Sequence, residues 1–149
     1  MAYLDCIRLC NNAHLADYMA WRIDGCIYGW LSPSFARHLL AYPSVFQQQN
    51  HELQFQAELT TSEQRSLATE QVMRDLHEQG IIDTWVGERY PVTLGYQQPA
   101  KLAVERAAAS YLGIKSFGIH VNGLVEKADG IYVWIGTRTL AKPFWPGKL

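Results

Sequence analysis

The sequence predicts a mixed α+β fold: a small N-terminal domain of hairpins and two or three helices to about residue 110, followed by the first hairpin of a mixed sheet. Three observations carry that prediction. Asp24-Gly25 divides two apolar, strand-like runs; a capped, apolar-striped stretch extends from Thr60 to Gly80; and after Ile114 the apolar period becomes two, with a second turn at Asp129-Gly130.

The elements follow in chain order. Leu4, Ile7 and Leu9 predict a short helix that Asn11-Asn12 ends, with Cys6 and Cys10 on one face as small core hydrophobes. Met19–Ile23 and Cys26–Leu31 flank Asp24-Gly25 as the strands of a two-residue hairpin. Ser32-Pro33 supplies an N-cap and a first helical position, and Phe35, Ala36, Leu39 and Leu40 form the stripe of a helix that ends before Pro43. Gln47-Gln48-Gln49-Asn50 is expected to be a polar loop, and Leu53 and Phe55 alternate with glutamines as a half-buried strand.

The strongest helix starts at Thr60 or Thr61, where Thr60-x-x-Glu63 makes a capping box. It carries Ala68, Val72, Met73 and Leu76 inward, with Glu70 and Arg74 paired outside. Residues 81 to 99 are rich in breakers and are expected to be an irregular connection, followed by a weaker helix from near Leu102 to Leu112. In the closing ribbon Phe117, Ile119, Val121 and Val125 alternate with His120, Asn122 and Leu124, and Ile131, Val133 and Ile135 return opposite Tyr132 and Trp134.

Composition narrows the function. A chain of 149 residues buries roughly 68–70% of its unfolded surface and needs no staple. Thirteen basic and fourteen acidic residues leave a net charge of -1, so no global field draws nucleic acid or an anionic membrane, and neither is an expected partner. Three cysteines without CxxC spacing point to a reduced compartment, and the expected location is cytoplasmic. Familiar motifs fail. His51-Glu52 and His77-Glu78 lack the second histidine one turn on that zinc requires, since Phe55 and Ile81 stand there. Gly147-Lys148 lacks the first glycine and the magnesium-binding Ser/Thr of a phosphate loop, and no dinucleotide fingerprint or nucleophile elbow occurs.

Other residues carry a resemblance. Glu105-Arg106-Ala107-Ala108, Gly118 to Gly123, Trp134-Ile135, Arg138 and Lys142 to Leu149 are similar to one Nudix hydrolase subfamily, often described as thiamine pyrophosphokinase-related. Asp24-Gly25, Gly29-Trp30-Leu31 and Glu88 to Val92 resemble the domain that precedes Nudix in that group. The resemblance implies an N-terminal α+β domain over 1–110 and, over 111–149, the incomplete start of a Nudix-type α/β/α sandwich. It also implies a magnesium-dependent diphosphate hydrolase acting on thiamine diphosphate or its oxidised derivatives. The helix of clustered carboxylates that would hold magnesium is absent from these 149 residues, so the chain is expected to be the inactive N-terminal part of a longer enzyme. A two-stranded ribbon is marginal alone, which points the same way.

His120, Asn122, Arg138, Lys142 and Lys148 then make a candidate pocket for a small-molecule diphosphate, with Trp145 or Trp134 stacking on a heteroaromatic ring. The plainer reading makes them polar groups on a solvated face. Arg89, Tyr90, Glu105 and Arg106 are expected to be structural. The alternative function is a non-catalytic module whose exposed sheet edge pairs with a partner, or with a second copy as a homodimer.

Overall fold

The computed structural model describes residues 3–10, 12–119, 121–141 and 146–148, and the chain forms two units, Met1–Ser116 and Phe117–Leu149. The first unit opens with helix α1 (Tyr3–Cys10) and a 3-10 turn (Leu15–Asp17). Cys10 is exposed, which corrects its expected place in the core: Leu4, Ile7 and Leu9 on the same helix are exposed too, so these described side chains form no inward apolar stripe, and the Cys6 side chain lies outside those described. Strands β1 (Met19–Ile23) and β2 (Cys26–Leu31) pair as expected around Asp24 and Gly25. Both turn residues have positive φ, 47° and 82°, as the twist of a two-residue hairpin demands. Helix α2 (Pro33–Leu40) begins at Ser32, whose Oγ accepts from Phe35 N, and buries Phe35, Ala36 and Leu39.

The glutamine run is not a loop. Phe46–Gln49 is strand β3, paired antiparallel with β4 (Glu52–Phe55) around Asn50 and His51, both at positive φ. Composition hid it because only Phe46 of the four residues is buried; the partner strand, not an apolar run, makes the element. The sheet order is β2-β1-β4-β3, with β1 and β4 parallel through Trp21 opposite Leu53. Trp21 is fully buried and meets the ring edges of Phe46 and Phe55, which stack on each other at 5.3 Å across the β3–β4 pair. This aromatic cluster locks the register, because a one-residue slip of any of these strands would turn its ring to the opposite face.

Helix α3 (Ser62–Glu78) is capped by Thr61 with Gln64, one residue later than the Thr60/Glu63 box expected from sequence. Thr61 Oγ1 accepts from Gln64 N while Gln64 Oε1 accepts from Thr61 N. Its inward face carries Val72, Met73 and Leu76. The expected irregular connection and second helix are also corrected. Strand β5 (Arg89–Val92) pairs with β6 (Leu102–Glu105), and only a 3-10 turn (Arg106–Ala109) follows. Leu102 and Val104 alternate inward against α3, and Glu105 caps the turn through Ala107 N; tertiary burial thus overrides the helical propensity of the alanines.

In the second unit, β7 (Leu124–Lys127) and β8 (Gly130–Val133) pair around Ala128-Asp129, extended by one bond from Trp134 N to Gly123 O at 2.8 Å. The ribbon is shorter than expected, since 114–119 and 121–123 form no strand. Both strands are half-buried at most, including Leu124, Ile131 and Val133.

Candidate functional site

Of the residues expected to bind substrate, His120, Lys142 and Trp145 lie outside the described residues, as does Phe144. Asn122 is exposed. Arg138 and Lys148 are brought side by side by backbone pairing: Arg138 N donates to Lys148 O at 2.8 Å, and Gly147 N donates to Arg138 O at 3.0 Å. Gly147 sits at φ 70°, the left-handed turn that folds the Pro146–Lys148 stretch back on Arg138. Two cationic side chains far apart in sequence thus originate from adjacent backbone positions.

The same unit assembles a feature that spacing did not reveal. A cavity of about 200 Å³ is lined by Val125, Lys127, Tyr132, Val133 and Trp134. Lys127 and Tyr132 lie near each other across the ladder, and the ammonium sits 4.3 Å from the ring centroid. Tyr132 OH donates to Asp129 Oδ2 at 2.7 Å, and that bond, with partial burial, raises the phenol pKa above its ordinary value. The Trp134 ring lies largely in solvent, 76% exposed, and Ile131 and Ile135 beside it are similarly bare. The alternation in the sequence pointed to a ribbon here, but it placed the first strand too early and did not show which face would carry the cation and the ring.

Several polar groups of the first unit hold its elements together. Arg65 on α3 is nearly buried, and its guanidinium donates to both oxygens of Asp24 at 2.7 and 3.1 Å and to Leu59 O at 2.8 Å. Lys101 reaches the same carboxylate at 2.8 Å. Hydrogen bonds first from Arg65 and then from Lys101 pull the Asp24 pKa down to about 2. Turn, helix and the approach to β6 are tied at one point. Arg22 forks onto Glu52 across β1 and β4, which accounts for one of the His-Glu dipeptides. His77 accounts for the other: its Nδ1 lies 2.7 Å from Ile82 O and therefore carries the proton.

Glu105 is structural, as expected, through contacts that the sequence did not specify. It is 5% exposed, and its carboxylate accepts from Val86 N at 2.8 Å, Gly87 N at 3.1 Å and Ala107 N at 3.2 Å. Arg106 pairs with Glu88 on the same loop. Among the described residues no three His, Cys, Asp or Glu side chains converge as a metal site, so these residues do not fit a catalytic magnesium. No helix of the described residues is long and apolar enough to cross a membrane.

Comparison with known proteins places these features. The model of a domain of unknown function, DUF4743, matches residues 2–116. The chain is 34% identical over 99% of its length to the chloroplastic Nudix hydrolase 24 of Arabidopsis thaliana, and 32% identical over 99% to the chloroplastic Nudix hydrolase 20 of the same plant. It spans 41% and 42% of those two proteins, about two fifths of each. An uncharacterized protein of Saccharomyces cerevisiae is 34% identical over 64% of this chain and 28% of its own length. The expected cytoplasmic location is corrected by this finding, since both plant relatives are named chloroplastic. The physical reason is that an odd cysteine count reports only a reducing environment, which is not peculiar to the cytoplasm.

Proposed function

The chain belongs to the DUF4743 family, and from that membership and its likeness to two Nudix hydrolases we propose that it is the N-terminal part of a Nudix-type diphosphate hydrolase. In this reading residues 117–149 begin the catalytic domain's sheet, and the rest of that domain covers the ribbon. The observation that carries it is the bare apolar surface of the ribbon, where Leu124, Ile131, Val133, Trp134 and Ile135 are each more than half exposed. So much apolar surface on two strands is marginal in water and gains roughly 25 cal/mol for each Å² that further chain covers.

The substrate proposed is a small heteroaromatic diphosphate, with thiamine diphosphate or its oxidised derivatives as first candidates. Trp134 offers a stacking face, Lys127 a cation beside it, and Arg138 and Lys148 a guanidinium and an ammonium for phosphate oxygens. Magnesium, held by carboxylates outside these 149 residues, would neutralise the diphosphate and activate water.

The test compares phosphate release from thiamine diphosphate and its oxidised forms by this chain and by a form extended to the length of the plant relatives. Activity in the extended form alone, abolished by a chelator, supports the proposal. If the extended form is inert as well, the bare ribbon is better explained as a non-catalytic docking surface.

A further inference from the structure

Trp85 belongs to a loop without helix or strand, yet the loop is pinned at both sides of Gly87. The buried Glu105 carboxylate takes the Val86 and Gly87 N–H groups, and Glu88 is held by Arg106 through its side chain and through Arg106 N to Glu88 O at 2.8 Å. The indole is thereby fixed against the His77 ring at 5.5 Å and under the Arg74 guanidinium at 4.9 Å. Beside it opens a hollow of about 120 Å³, lined chiefly by Glu70, Arg74, Trp85, Gly87, Arg89 and Glu105.

Charge accounting in the hollow leaves one cation over. Arg74 is matched by Glu70, at 3.3 Å on the next turn of α3. Glu105 is matched by three backbone N–H groups. Arg89 faces Glu105 in the β5–β6 register, where a cross-strand ion pair is the ordinary arrangement, but Glu105 is turned into the loop. Among the described residues Arg89 has no side-chain partner.

We propose that this hollow binds a small oxyanion, the phosphate or carboxylate group of a small molecule. Arg89 meets it as a planar fork, Arg74 supplies a second guanidinium already oriented by the Trp85 face, and the pinned loop keeps the hollow open without a ligand. The site lies wholly in the first unit and does not rest on the Nudix reading, because its occupancy is measured without any hydrolysis.

The experiment titrates the 149-residue chain, nitrogen-15 labelled, with inorganic phosphate and separately with acetate at low and fixed ionic strength. The indole N–H of Trp85 and the amide of Gly87 are followed, the former assigned with Trp85→Phe. Saturable shifts confined to these signals are expected with at least one anion, and which anion produces them identifies the source. Arg89→Gln should weaken binding about tenfold or more, Arg89→Lys by less, and Arg37→Gln, on the exposed face of α2, not at all. Arg89 is exposed, so its variants are expected to melt with the parent. No saturable shift with either anion, or an equal loss in Arg37→Gln, would overturn the proposal.

Discussion

Asp24 shows how much one side chain can hold. It occupies a left-handed turn position that few residues tolerate, and its carboxylate is the common acceptor for Arg65 and Lys101. Its folded pKa lies below the unfolded value, so protonation favours the unfolded chain. The stabilisation is complete above about pH 4 and is lost as the pH falls toward about 2. With the carboxylate 42% exposed, solvent screening reduces the contribution to about 1 kcal/mol. Asp24→Asn is expected to flatten this acid limb in urea melts recorded between pH 2 and 5, and to lower stability at neutral pH because Arg65 loses its anion. Glu105 carries a larger burden. Glu105→Gln turns an amide toward N–H donors that need an acceptor, so a loss of about 2 kcal/mol and faster hydrogen exchange at Val86 and Gly87 are expected. Most of these partners are distant in sequence: Arg65 lies 41 residues from Asp24 and Val86 lies 19 from Glu105, which is why residue type and spacing could not name them.

Elements differ in how far they announce themselves. Those that close locally were legible: the Asp24-Gly25 hairpin, the Ser32-Pro33 start of α2 and the body of α3 all rest on turn chemistry, capping or a stripe within a dozen residues. Thr61→Ala should cost α3 about 1 kcal/mol in a thermal melt, and Thr60→Ala much less, which separates the observed cap from its neighbour. Strands β3, β5 and β6 were not legible, because their partners rather than their residues define them. Close approach between elements is equally silent in sequence. A Cβ at Gly29 would overlap the Leu112 carbonyl oxygen, and one at Gly113, at φ 58°, would overlap that of Trp30. Since Trp30 N also donates to Gly113 O, this contact covers part of the β2 edge. Gly113→Ala is therefore expected to destabilise by more than about 2 kcal/mol, read as a shift of the denaturant midpoint at unchanged slope.

At the scale of the whole chain, the buried cluster runs from Trp21 to Ile114 and lies entirely in the first unit. A fragment of residues 1–116 is expected to unfold cooperatively with nearly the melting temperature of the 149-residue chain. The second unit behaves differently, its ribbon carrying exposed apolar side chains on both strands. In the extended form, Trp134 emission should shift to the blue and hydrophobic dye binding should fall, if the remaining length covers the ribbon as proposed. Of the candidate site, the sequence supplied Arg138, Lys148 and Trp134. Only the structure paired the first two through the Gly147 turn and set Lys127 against Tyr132 beside the third.

What the sequence by itself determined is what depends on short range: the α+β class, the first hairpin, helices α2 and α3, and the absence of several catalytic motifs. Tertiary structure alone decided the β2-β1-β4-β3 order, the pairing of a glutamine run as a strand, the replacement of an expected alanine-rich helix by strand β6 and a 3-10 turn, and the hold of Glu105 on the Trp85 loop. The physical reason is that these strand pairings and the Glu105 carboxylate are completed by groups farther along the chain, and burial by such partners outweighs local propensities worth a fraction of a kcal/mol per residue.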